Sequence, residues 1–388
     1  MDIMILLDLA VLIFAAKAFG LLARRVGAPQ VVGEIVAGLL VGPAILGFIT
    51  VNDTLEVFAE IGVIMLMFAA GLGTDLKQLK SSGFKSFLVA SIGVLVPLVG
   101  GFALYGLFYG FAAPPSKGFY TALFMGTIIT ATSVSITVAA LSEMGKLSTE
   151  VGTTIVGAAV IDDVIGIIVL TCVVGGAGGD GNVGIVLLKI ALFFAVAFVI
   201  GYIVHKCMDW LEQRHSHTQR IPIYSLAFCF AMSYLAQKYF GIADITGAYC
   251  AGIVLCTIKD TEYVEKKIDI SSYMLFGPIF FACIGLKTDL SGLTVSILGF
   301  SVCFIIVALL TKVVGCGLAA KICGYNMKDS LRVGAGMMTR GEVALIVAQK
   351  GLSAGVLDSV YFPAVILLII VSSIVTPVVL KVLFSKED

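Results

Sequence analysis

Two adjacent carboxylates, Asp162 and Asp163, interrupt an apolar run that extends from about Thr153 to Val174. A helix of ~20 residues spans a hydrocarbon core of roughly 30 Å, and the aspartates fall near the middle of this one. An ionised carboxylate there costs at least ~2.5–3.5 kcal/mol, so it normally faces a protein interior or a water-filled cavity on an ion or proton pathway. The pair predicts such a pathway; the alternatives are a purely structural ion pair or a core helix of a soluble protein.

A second charge inside an apolar stretch is Lys312, in a predicted helix over 294–318. An isolated buried lysine tends to lose its proton, whereas a carboxylate within ~4–6 Å keeps it charged. Lys312 is therefore predicted to pair with one of the aspartates, unless its long side chain reaches the membrane surface. Because neighbouring helical residues point about 100° apart, the other aspartate can face the cavity. A cation and protons then compete for the same carboxylates, which is itself an exchange mechanism.

The composition indicates a membrane protein with many spans. The 388 residues are 59% hydrophobic and only 13% charged, against about 25% charged in ordinary soluble domains. The formal net charge is zero, which argues against a nucleic-acid partner. The nine cysteines have no metal-ligand spacing, and no pattern suggests a cofactor.

The hydropathy pattern predicts an all-α fold with about thirteen transmembrane helices joined by mostly short loops, the segment 206–220 being the one long polar linker. With the N-terminus outside, the outer loops hold few basic residues, and most of the other lysines and arginines fall inside. The outer ones are Lys117, Lys238, Lys287 and Lys350. The positive-inside rule therefore predicts an external N-terminus and a cytoplasmic C-terminus, in the cell inner (plasma) membrane.

The sequence contains an internal repeat. Two pairs of segments match at one offset of 214 residues, 27–38 with 241–252 and 71–76 with 285–290, and a third pair, 130–136 with 339–345, matches at 209. Seven predicted spans separate corresponding helices, so the second copy crosses the membrane in the opposite direction. The pattern predicts a six-plus-six inverted-topology repeat, with the seventh span as the joint.

The fifth and twelfth predicted spans, 119–141 and 331–349, carry an unusual density of polar residues. Transporters with inverted repeats bind their ion where such helices unwind at the membrane midplane. We predict breaks in both spans; the alternative is intact helices whose hydroxyls bond to the preceding turn. The residues predicted to support the breaks are Thr130, Ser133, Thr339, Arg340 and Glu342.

Several motifs together resemble those of the monovalent cation/proton antiporter superfamily. They are Val32-Gly33-Glu34-Ile35, Ala131-Thr132-Ser133, Asp162-Asp163, Phe280-Phe281 followed by Gly285-Leu286, and Thr339-Arg340-Gly341-Glu342. The resemblance covers essentially the whole chain. It is strongest to bacterial Na+/H+ antiporters and to the membrane domains of potassium efflux antiporters.

The resemblance implies a homodimer in which a moving core bundle slides, as an elevator, against a panel of dimerisation helices. It assigns residues 1–83 and 221–292 to the panel, residues 84–176 and 293–388 to the core, and residues 177–220 to a linker helix and cytoplasmic loop. The broken fifth and twelfth helices would cross around the ion site in the core.

The resemblance also assigns roles to single residues. Asp163 would be the principal carboxylate for Na+, Asp162 would pair with Lys312, and Thr132 would lie near the ion at the crossover. The implied activity is exchange of Na+ or Li+ for protons. Potassium efflux members usually carry Gln-Asp in place of Asp162-Asp163, so the pair favours sodium, with K+/H+ exchange as the alternative.

Two other classes are disfavoured. An intramembrane aspartyl protease needs two carboxyls about 3 Å apart that share one proton, usually on separate helices, whereas adjacent residues of one helix diverge. A passive channel would conduct ions without coupling them to protons. The sequence therefore predicts a transporter and not an enzyme.

Overall fold

The computed structural model describes residues 3–26, 28–114, 116–177, 183–215, 218–288 and 295–385, and the secondary structure in these ranges consists of helices joined by short loops. Two π-helical turns, Ala236–Phe240 and Ser272–Phe276, and a 3-10 turn, Ser359–Tyr361, connect neighbouring α-helices. The α-helices are α1 (Met4–Arg25), α2 (Gln30–Val41), α3 (Asp53–Leu72), α4 (Leu76–Tyr109), α5 (Lys117–Thr130), α6 (Val134–Glu143), α7 (Glu150–Gly176), α8 (Val183–His215), α9 (Arg220–Leu235), α10 (Asp244–Leu255), α11 (Thr261–Ser271), α12 (Gly277–Leu286), α13 (Val295–Ile322), α14 (Met327–Gly336), α15 (Glu342–Ser353) and α16 (Phe362–Ser385).

The length and composition of these helices confirm an all-helical, multi-pass membrane protein. Within the described ranges, nine helical stretches are long and apolar enough to cross a bilayer, and three more apolar helices are shorter. The short ones are α2, α10 and residues 343–352 of α15. Elements this short do not cross a hydrocarbon core of roughly 30 Å alone.

Four helices begin where the sequence supplies a capping side chain. Asn52, Ser116, Thr149 and Asn326 each accept a hydrogen bond from a backbone N–H of the first turn of α3, α5, α7 and α14 respectively. Each cap satisfies one N–H group that lacks a partner in its own helix.

The helices pack in two sets. α4 lies against α5, α7 and α13, and α13 also contacts α14 and α16. In the second set, α2 packs on α1 and α12, and α3 packs on α10 and α12. The two sets meet where α2 contacts α6 and α16 and where α3 contacts α6.

Glycines allow α2 and α12 to meet backbone to backbone. A Cβ atom at Gly38 would lie 1.9 Å from the carbonyl oxygen of Ala282, and one at Gly285 would lie 2.3 Å from that of Ile35. Close approach through small residues is a general device for packing helices in membranes, where lipid removes the hydrophobic driving force.

Two boundaries differ from the sequence predictions. The predicted loop over 206–220 was wrong for residues 206–215, which continue α8, because their Lys, Leu, Glu, Gln and Arg residues are good helix formers. The buried carboxylate of Glu212 also accepts the backbone N–H groups of Lys259 and Asp260 at 3.2 and 2.7 Å, and so holds this end of α8 in place. The predicted division at residues 83 and 84 falls inside α4, which begins at Leu76.

One contact joins the end of α6 to the start of α2. The Glu143 carboxylate accepts the backbone N–H of Gln30, the first residue of α2, at 2.7 Å, and lies 3.8 Å from Nε of Arg24. The first N–H groups of a helix carry partial positive charge and lack helical partners, so a carboxylate is a favourable cap.

Candidate functional site

Two interruptions of the helical backbone lie against each other. α5 ends at Thr130 and α6 begins at Val134, while α14 ends at Gly336 and α15 begins at Glu342. The backbone N–H of Ser133 donates to the carbonyl of Thr339 at 2.9 Å, directly joining the two segments. Both interruptions fall where the sequence predicts breaks.

Hydroxyl groups satisfy backbone atoms that the breaks leave without helical partners. Thr137 donates to the carbonyl of Gly336 at 2.8 Å, and its oxygen lies 3.0 Å from the hydroxyl of Thr339. Thr132 donates to the carbonyl of Met337 at 3.4 Å. In a membrane interior such partners are required, because water is not there to solvate free backbone groups.

Arg340 lies fully buried within the second break. Its guanidinium donates to four backbone carbonyls, those of Met337, Thr339, Ile129 and Ala308. Two of these carbonyls belong to the C-terminal ends of broken helices, which carry partial negative charge, so the cation stabilises them. Glu342 begins α15, but its side chain lies outside the part of the chain that the structure describes.

Lys312 of α13 and Asp162 of α7 form a buried ion pair. The Nζ atom lies 2.8 Å from Oδ1 of Asp162, and the two side chains are 0% and 1% exposed. The same ammonium donates to the carbonyl of Thr130, the last residue of α5, at 2.8 Å. Lys312 therefore links the aspartate to the first break, instead of reaching the membrane surface.

Asp163 follows on the same helix and is also buried, with 7% of its surface exposed. Its carboxylate points away from that of Asp162 because adjacent helical residues diverge by about 100°. The hydroxyl of Thr130 donates within α5, to the carbonyl of Thr127 at 2.7 Å. It is thus the main chain of Thr130, and not its side chain, that reaches Lys312.

Two residues at this site were missed by the sequence analysis. Ser372 accepts the backbone N–H of Arg340 at 3.0 Å, and Ser373 donates to the carbonyl of Arg340 at 3.1 Å. Adjacent serines directly after a long apolar run in α16 were the available signal, because buried hydroxyls in a membrane helix need partners.

Two cavities lie close to these elements. The first, of about 490 Å³, is lined by parts of α1, α2, α3, α6, α11 and α12, and we call it the α6 cavity. The second, of about 410 Å³, is lined by parts of α3, α10, α12, α15 and α16, and we call it the α15 cavity. Gly341, in the second break, lines the α15 cavity, so that cavity reaches the broken backbone.

A multi-pass helical protein with a buried ion pair, a further carboxylate and two joined helix breaks belongs to the class of membrane ion transporters. The chain is a member of the sodium/hydrogen exchanger family, whose transmembrane model matches residues 10–386. This is a family of antiporters and not of enzymes.

Curated relatives in this family are similar along nearly their whole length. The Na(+)/H(+)-K(+) antiporter GerN of Bacillus cereus is 38% identical over 98% of this chain and 96% of its own. The Na(+)/H(+) antiporter of Enterococcus hirae is 34% identical over 97% of both chains.

A solved structure has the same fold. The sodium proton antiporter MjNhaP1 from Methanocaldococcus jannaschii at pH 8 matches with a TM-score of 0.70 at 18% sequence identity. The match covers 98% of this chain and 96% of that one.

Proposed function

We propose that this protein exchanges Na+ for protons across the membrane and that Asp163 is the carboxylate that binds the cation. The observation that carries this proposal is the unequal environment of two adjacent aspartates. Asp162 is held by Lys312 at 2.8 Å inside the protein. Asp163, the next residue of α7, is also buried, and its side chain leaves the helix on another face.

The chemistry follows from charge. A carboxylate in a site of low polarity is stabilised either by a proton or by a metal cation, so Na+ and H+ bind in competition. Carbonyl and hydroxyl groups at the breaks, including those of Thr132, are the hard oxygen ligands that suit an alkali cation. Li+ has the same ligand preference and is expected to be a second substrate.

The transport movement would be an elevator motion of the core helices, α4–α7 and α13–α16, against the panel helices, α1–α3 and α9–α12. The most extensive helix contacts fall within these two sets, and a cavity lies at each end of α12, which supports this division. We extend the proposal to thirteen spans in an inverted six-plus-six repeat and to crossed fifth and twelfth spans. It further includes a homodimer in the plasma membrane, with the N-terminus outside and the C-terminus inside.

The test is an assay in proteoliposomes that hold an imposed pH gradient and a pH-sensitive dye. Addition of Na+ is expected to restore dye fluorescence with the native protein and not with Asp163→Asn. Asp209→Asn, the same chemical change at a half-exposed position of α8, is the matched control and should retain exchange. Full exchange by Asp163→Asn would refute the assignment of the carboxylate.

K+/H+ exchange is the second candidate, because one relative that is 38% identical is named as a Na(+)/H(+)-K(+) antiporter. The same assay with Na+, Li+ and K+ distinguishes Na+/H+ exchange from K+/H+ exchange. A K+ response as large as the Na+ response would assign the protein to potassium or mixed exchange. No proton-coupled response to any cation would refute antiport.

A further inference from the structure

The α6 and α15 cavities lie at opposite ends of the same two helices. On α3, Glu56 and Glu60 near the start line the α15 cavity, whereas Leu66, farther along, lines the α6 cavity. On α12 the order is reversed, because Pro278 lines the α6 cavity and Lys287 lines the α15 cavity. α3 and α12 are therefore antiparallel walls shared by both cavities.

The layer between the cavities is about one helical turn thick. Val63 lines the α15 cavity and Leu66 the α6 cavity, and three residues of helix rise only ~4.5 Å. On α12, two consecutive residues line different cavities: Phe280 lines the α15 cavity and Phe281 lines the α6 cavity.

Two adjacent phenylalanine rings lie at this level of α12, and each lines one of the cavities. Phe280 and Phe281 are 5% and 4% exposed, and their ring centroids lie 4.9 Å apart at an interplanar angle of 59°. Tilted rings at this distance are in favourable contact. Hydrated cations do not cross such apolar packing, because a charge without water or polar partners is strongly disfavoured there.

Glycines bring the backbones of α2 and α3 close to this part of α12. A Cβ at Gly62 of α3 would lie 2.5 Å from the carbonyl oxygen of Phe276 and 3.1 Å from Cβ of Phe280. On the other side, Gly38 and Gly285 bring α2 and α12 into backbone contact. α12 is thus fixed between α2 and α3, all three belonging to the set proposed as the panel.

We propose that Phe280 and Phe281 form the septum that separates the two cavities, with Phe280 closing the α15 cavity and Phe281 the α6 cavity. This inference rests on the proposed function, in which the panel stays still while the core moves the ion site past it. The two rings then prevent ions and protons from passing between the cavities when the site is not moving, and so keep the exchange coupled.

Thiol labelling tests the geometry without requiring transport. In a background that lacks the native cysteines, Phe280→Cys and Phe281→Cys are exposed to a membrane-impermeant charged thiol reagent in vesicles of each orientation. Lys287→Cys and Asp269→Cys mark the faces to which the α15 and α6 cavities open. Phe280→Cys is expected to react from the face of Lys287→Cys, and Phe281→Cys from the face of Asp269→Cys.

Labelling of both phenylalanine positions from one face, or of neither from any face, would overturn the septum. Labelling is measured separately from ion exchange. A protein that shows no antiport can therefore still be labelled at the two positions from opposite faces, and a protein that exchanges ions can fail to show that labelling.

A leak measurement tests the role in coupling. Phe280→Ala and Phe281→Ala are each expected to accelerate, severalfold, the decay of a pH gradient in proteoliposomes without added Na+. Phe58→Ala is the matched control, since that ring of α3 contacts Phe276, in the turn just before α12, but lines neither cavity. Decay rates for the septum variants equal to those of Phe58→Ala and of the native protein would refute the proposed barrier.

Discussion

At the scale of single residues, the two aspartates show how position on a helix divides chemical roles. Asp162 points to Lys312, which is also bound to the carbonyl of Thr130. This aspartate is therefore a fixed part of the first break, and neutralising it would also release the lysine. Asp163 lies one residue and about 100° away, and it is the carboxylate proposed to hold the exchanged proton or cation.

Removal of Lys312 should destabilise the protein strongly. Lys312→Met leaves the Asp162 carboxylate buried without its cation, which costs about 3–5 kcal/mol in buried pairs of this kind. Adding Asp162→Ala to the same chain should recover most of the loss, because no uncompensated charge remains. Thermal unfolding of the purified single and double variants measures both steps. A double variant less stable than Lys312→Met would contradict this account of the pair.

Residue chemistry made part of the site predictable. A lone lysine and a carboxylate pair within apolar runs each need a partner of opposite charge, so pairing of Lys312 with an aspartate followed from the sequence. The family resemblance indicated Asp162 as the partner of Lys312, and in the structure these two side chains are in contact. The bonds from Ser372 and Ser373 to Arg340 could not be predicted, because they depend on how α16 lies against a break distant in sequence.

At the scale of elements, the contact between α2 and α12 depends on glycine. With Gly38→Ala, the new Cβ would lie 1.9 Å from a carbonyl oxygen, so the two helices must separate and lose packing along their length. We expect a clearly lower melting temperature. Gly83→Ala in α4 is the control, because no atom lies within 4 Å of its added Cβ and alanine favours the helix by about 0.5–1 kcal/mol.

Equal melting temperatures for the Gly38 and Gly83 variants would show that the helices are not in close backbone contact. Measuring both in the same detergent removes any general effect of the medium on stability.

The elements differ in how well the sequence reveals them. The density of hydroxyl groups and the internal repeat predicted the two breaks, because unsatisfied backbone in a membrane requires polar partners nearby. The end of α8 was not predicted, because polar residues 206–215 suit either a loop or a helix. A tertiary contact favours the helix here: the carboxylate of Glu212 accepts backbone N–H groups of the turn after α10.

At the scale of the whole molecule, competition between Na+ and a proton predicts a specific pH dependence. As the pH falls, the carboxylate holds a proton more often, and that proton must leave before Na+ binds. Below the pKa of the carboxylate, the apparent KM for Na+ should therefore rise about tenfold per pH unit for one competing proton. Dye recovery at graded Na+ concentrations measures this. A constant KM with a falling maximal rate would show that the proton acts elsewhere.

The buried ion pair also has an electrical consequence. With all four groups ionised, the charges of Asp162, Asp163, Lys312 and Arg340 cancel, so in the proposed elevator these four groups together move no net charge. Membrane voltage, worth ~2.3 kcal/mol per elementary charge at 100 mV, then acts only on the bound species. While Lys312 stays protonated, one Na+ exchanged for one proton is electrically silent. If Lys312 also releases its proton, each cycle carries current, and the membrane potential becomes a force that expels sodium.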